Sequence, residues 1–136
     1  MITLNSRGYI FYISDNWTNH NTNKIGKWMY FFNNKDFISK ICKKAIEENI
    51  VDTCKHTNDN DGVACFYIEY DNLNAHRKVI NFFLENNLIS KTKNGRYYDI
   101  SFKTDEQTLN GEYGNEFKAT LKLHQFIDLK SGKWII

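Results

Sequence analysis

A chain of 136 residues is long enough for one hydrophobic core and too short for two, so a single domain over residues 1–136 is expected. A formal net charge of +2 excludes nucleic-acid binding driven by bulk electrostatics, and any anion must be recognised by a local cluster. The chain has 41% hydrophobic and 25% charged residues, no N-terminal signal core and no membrane-length apolar stretch, so a soluble, cytoplasmic protein with no membrane partner is expected.

Three cysteines, Cys42, Cys54 and Cys65, show no CxxC spacing and suit reduced thiols better than a disulfide framework. Aromatic residues make up 15% of the chain, more ring area than a small core needs, which favours strands and flat binding surfaces. Proline is absent while Asn and Lys abound. Asn is scattered between periodic apolar segments, which points to AT-rich codon usage rather than a prion-like tract.

In chain order, residues 9–13 alternate as a strand, and residues 14–24 read as a polar loop interrupted by Trp17. A second strand covers residues 28–32. Asn33 and Asn34 are natural N-caps, and Phe37, Ile38, Ile41, Cys42, Ala45 and Ile46 then recur at helical spacing to about residue 49. Residues 51–57 look extended and 57–62 form a turn. Residues 63–70, apolar on both faces, suit a central strand. Asp71 or Asn72 caps a second helix, with His76, Val79, Ile80, Phe83, Leu84 and Asn87 on its stripe. After the Asn94-Gly95 turn, alternation over residues 97–103 directs Tyr98, Ile100 and Phe102 to the core and Lys103 away from it. A loop over 104–114, a strand carrying Phe117, Ala119, Leu121 and Leu123, and a short final strand at 134–136 complete the chain. The predicted fold is α+β: a curved, largely antiparallel sheet of six or seven strands with two helices packed on one face. Two helices cannot cover both faces of such a sheet, so the other face is expected to be open.

Catalytic signatures are weak. No GxSxG elbow, Walker loop or GxGxxG occurs, and the acidic residues are spread singly, without a carboxylate pair for acid–base work. Cys54, His56, Cys65 and His76 match no closed zinc pattern, and His76 reads as a structural histidine on the second helix. No metal or cofactor is expected. The informative set is aromatic plus basic. Trp17 lies in a polar loop with little core to join, and Trp28 follows Gly26-Lys27 at a strand start. Indoles beside lysines are suited to stacking on a base and holding its phosphates. Lys103, Asp105, Gln107 and Thr108 form a second polar concentration, with Lys55 added to the same patch. Lysine supplies a point charge for phosphate, and Asp, Gln and Thr supply donors and acceptors for a base or ribose edge.

Gly26-Lys27-Trp28-Met29, the extended Cys54-Lys55-His56-Thr57, and Phe102-Lys103-Thr104-Asp105-x-x-Thr108-x-x-Gly111-x-Tyr113 follow one another in order. Together they resemble the motifs of the basophilic-leukaemia-expressed protein family, which has the fold of the cap-binding translation initiation factor 4E. The resemblance implies a curved antiparallel sheet backed by helices, its concave side available to a ligand. In the cap-binding relatives two tryptophans sandwich a methylated guanine and basic residues hold the phosphates. Those cap-binding motifs are not matched here, so Trp17 and Trp28 are the sandwich candidates.

The expected function is therefore non-catalytic binding of a nucleotide-like or phosphorylated small molecule on the open face. Trp17, Trp28, Lys55, Lys103, Asp105, Gln107, Thr108 and Tyr113 are the candidate ligand-binding residues. The alternative is a small phage or mobile-element protein that binds and inhibits, or docks onto, a larger protein complex such as a defence system. An enzyme acting on a phosphorylated substrate is the third possibility.

Overall fold

A computed structural model describes residues 1–17, 24–105 and 121–136. Over these residues the fold is α+β, with an open, curved seven-stranded antiparallel sheet and two helices on one face. The strands are β1 (Ile2–Ser6), β2 (Tyr9–Ile13), β3 (Ile25–Phe32), β4 (Thr53–Thr57), β5 (Gly62–Glu69), β6 (Ser101–Thr104) and β7 (Leu121–Lys122). Helix α1 (Lys35–Glu47) follows β3 and helix α2 (Leu73–Glu85) follows β5. In space the order is β1-β2-β4-β5-β3-β6-β7, so β3 crosses over to lie between β5 and β6.

Local chemistry explains where the helices start and stop. The side chains of Asn34 and Asn72 accept hydrogen bonds from the Phe37 and Ala75 backbone N–H groups, satisfying donors that the first helical turn leaves orphaned. Each helix ends in the same device. Asn49 and Asn87 take φ of 56° and 57°, and the Ile50 and Leu88 N–H groups close back onto the Ala45 and Phe83 carbonyls at 2.9 and 2.8 Å. That is the Schellman closure, with asparagine in place of the usual glycine.

The helices cover the face carried by Tyr12, Cys54, His56, Ala64, Phe66, Ile68, Trp28, Phe32 and Phe102, all buried. At its centre Trp28 is 0% exposed, meets Phe102 and Phe126 edge-on, and donates its indole N–H to His76 Nδ1 at 3.0 Å. The other imidazole nitrogen, Nε2, donates to the Tyr70 carbonyl at 2.7 Å. His76 is thus a satisfied structural histidine. Gly26 is required where β3 meets β6, because a Cβ there would collide with the Phe102 ring and crowd the Lys103 carbonyl at 2.9 Å.

A second buried histidine, His56, donates from Nδ1 to the Thr57 carbonyl and presents Nε2 to the Tyr12 and Ser39 hydroxyls at 3.0 and 3.3 Å. Burial pushes both imidazoles below the ordinary value of 6.5. The unfolded chain takes up protons near that value and the folded chain refuses them. Their contribution is complete above pH 6.5 and is lost as pH falls toward the folded values. The melting temperature is expected to be level above about pH 7 and to fall as pH drops below about 6.5, with each histidine losing at most about 1.4 kcal/mol per pH unit. A His76→Gln, His56→Gln pair whose melting temperature falls as steeply would contradict this assignment.

Several elements differ from the sequence expectation. β1 is an additional strand, built on the Arg7-Gly8 turn in which both residues have positive φ. None of its residues is buried, so it carries little hydrophobic signal. The strand expected at 97–103 is regular only from Ser101. The Ile100 N–H turns back to the Tyr98 carbonyl, which breaks the alternation and leaves Tyr98 exposed. Phe117 and Ala119 lie outside the described residues. Leu121 is in β7, whereas Leu123 opens a 3-10 turn (Leu123–Gln125). The expected final strand is a single bridge, Ile127 to Trp134.

Candidate functional site

On the face of the sheet opposite α1 and α2, the ladder register sets side chains in rows. Phe11, Lys55, Cys65 and Met29 are successive partners across β2, β4, β5 and β3. The adjoining row runs Tyr67, Lys27, Lys103 across β5, β3 and β6. Pairing therefore brings Lys27, Lys55 and Lys103 together from three strands far apart in sequence.

The lysines sit among rings. The Lys55 ammonium lies 4.0 Å from the Tyr9 ring centre, 5.4 Å from Phe11 and 5.8 Å from Tyr67. Lys27 lies 5.8 Å from Tyr67 on its other side and reaches Asp105 at 3.2 Å. The centre of the face is recessed, with Lys27 8% and Cys65 4% exposed. Burial lowers the Lys55 and Lys103 ammonium pKa values, and the positive charge of Lys27 lowers each further. Burial also raises the Cys65 thiol and the Tyr67 phenol, keeping both neutral. The ammonium groups therefore repel one another in a partly dry setting faced by aromatic rings, where an arriving anion would relieve them.

Of the sequence candidates, Lys55, Lys103 and Asp105 meet on this face. Gln107, Thr108 and Tyr113 lie outside the described residues. Trp28 does not belong to the site: it is adjacent in sequence to Lys27, points to the opposite face and is sealed among Phe102, His76 and Phe126. Trp17 is 50% exposed on the turn after β2, its backbone N–H donating to the Ser14 carbonyl. No described contact joins it to the lysines, and an indole sandwich is not formed. The residues that sequence reasoning missed as site members are Tyr9, Phe11 and Tyr67, with Lys27 recognised only as a companion of Trp28. Strand parity was the available signal, since Tyr9 and Phe11 share one side of β2.

A separate cleft of about 410 Å³ opens beside the start of α2 and the end of α1. Ser14, Asn16, Asn49, Asp52, Asn72 and Asn74 are in its wall, and Tyr67 borders it. Its one lysine, Lys78, already donates to the Asn49 carbonyl at 3.3 Å. Asp52 and Glu69 place negative charge in this cleft, whereas the lysine–tyrosine face gathers three ammonium groups, so that face is the stronger candidate site for an anion. Cys54 faces the helices and Cys65 the opposite side of the sheet, so these thiols do not share a metal-binding face.

Over the described residues, fold and site together define an antiparallel α+β protein with a patch of lysines and aromatic rings on the face opposite α1 and α2. The chain matches no family model, and no curated protein is significantly similar to it.

Proposed function

We propose that the protein binds a compact phosphorylated or nucleotide-like molecule on the face of the sheet opposite α1 and α2, without catalysis of its own. The observation that carries this reading is the convergence of Lys27 and Lys55 on Tyr67, with Lys103 beside Lys27 on the next strand. Lys55 and Lys103 supply charge for the phosphate. The Tyr9 and Phe11 rings flank the anion and offer a surface to a base or other flat group. Asp105 holds Lys27 in position and offers a carboxylate oxygen to a donor edge. The resemblance to the basophilic-leukaemia-expressed protein family supports a ligand on this side of the sheet.

A thermal-shift screen tests the reading with inorganic phosphate, pyrophosphate, nucleoside mono-, di- and triphosphates, cyclic nucleotides and cap analogues. At least one phosphorylated compound is expected to raise the melting temperature, by an amount that shrinks with added salt. No shift with any of them at millimolar concentration would contradict the proposal.

A second reading, docking onto a larger protein complex, is favoured by Phe31, which is 73% exposed on the same face. Under that reading Phe31→Asp abolishes capture of the partner and leaves anion binding untouched.

A further inference from the structure

We propose that two copies of the chain join through their β1 strands, in antiparallel register about a two-fold axis at Leu4. β1 is an outer strand of the sheet, and all five of its residues are exposed. Natural edges are usually blunted by proline, charge or a bulge. The segment Ile2–Ser6 has none of these, being uncharged and regularly paired to β2 from end to end. In the described residues the opposite edge strand, β7, covers Leu121–Lys122 and runs directly into a 3-10 turn. A two-fold axis at the β1 edge uses that edge in both copies and leaves a closed pair.

The ladder limits the register. Ser6 and Tyr9 close a two-residue turn, so they form a hydrogen-bonded pair. Alternation then directs the N–H and C=O groups of Ser6, Leu4 and Ile2 toward β2, and those of Thr3 and Asn5 outward. Among the symmetric registers open to an antiparallel pair of identical strands, the one that sets Thr3 opposite Asn5 twice places Leu4 opposite its own counterpart. Leu4 then occupies the closer, non-hydrogen-bonded position where side chains touch most tightly.

The chemistry suits this symmetry. A two-fold axis sets the central residue against itself, and a charge there would repel its copy, whereas leucine gains a contact. On the open face Leu4 neighbours Phe11 and Ile2 neighbours Ile13, so pairing makes one apolar strip continuous across the axis.

Sedimentation equilibrium over a concentration series tests the proposal. The chain is expected to approach twice its 16.1 kDa mass. Thr3→Pro removes an outward N–H and spares the bonds to β2, and it is expected to return the mass to that of the monomer with an unchanged circular dichroism spectrum. Leu4→Lys and Leu4→Glu provide a check that does not depend on proline being accepted. Each is expected to be monomeric alone, and an equimolar mixture to recover the dimer. A wild-type chain that stays monomeric to about 1 mM would overturn the proposal. So would a dimer indifferent to these changes, or capture of a foreign strand without self-association.

Discussion

Trp28→Ala is expected to destabilise the fold by about 3–5 kcal/mol, the usual range for removing a large buried ring. The indole fills the centre of the helix-side core against three rings and satisfies the buried Nδ1 of His76. Truncation leaves both a cavity and an acceptor without its donor, and the second loss adds to the first. Against a total stability of roughly 5–15 kcal/mol this is a large fraction, and the melting temperature should fall by roughly 10–20 °C. Trp28→Phe keeps most of the volume and loses the hydrogen bond, so it should fall between the two. Because Trp28 faces away from the lysines, Trp28→Phe should bind the same ligands as wild type while folded. Loss of binding with unchanged stability would place the indole in the ligand site after all.

Lys55→Met should show the opposite pattern. Its ammonium is held among Tyr9, Phe11 and Tyr67, where burial and Lys27 both oppose its charge and the rings offset part of that cost. Methionine keeps the length and apolar stem without the charge. The variant is expected to melt at the wild-type temperature or above it. Affinity for a phosphorylated ligand should drop at least about tenfold, equivalent to about 1.4 kcal/mol. Lys103→Met should weaken binding in the same direction, and both should flatten its salt dependence. A destabilised Lys55→Met that still bound normally would make this lysine a packing element.

These two residues also show how far the sequence could be read. Both helices were legible because the Phe37–Ile46 and His76–Leu84 stripes repeat at helical spacing and asparagine caps stand before each. Lys27 and Trp28 were harder. Their adjacency suggested one site, yet neighbouring residues of a strand point to opposite faces. Which of the two faces the helices depends on packing with Phe102 and His76, both distant in sequence. The site itself rests on strand order. Insertion of β3 between β5 and β6 sets Lys27 beside Tyr67 on one side and Lys103 on the other, and no local pattern encodes that crossover. Tyr67 was hidden for a related reason: β5 is apolar on both faces, so its periodicity does not say which rings are core. β1 escaped notice because an exposed strand has no buried face to mark it.

The most direct test of the central claim is an NMR titration that follows the lysine side chains and the aromatic rings as a phosphorylated ligand is added. The geometry predicts that the signals of Lys27, Lys55, Lys103, Tyr9 and Tyr67 move together and saturate with one affinity, while the Trp28 indole N–H stays in place. Perturbation confined to the amide-lined cleft beside α2, or none at all, would contradict the account.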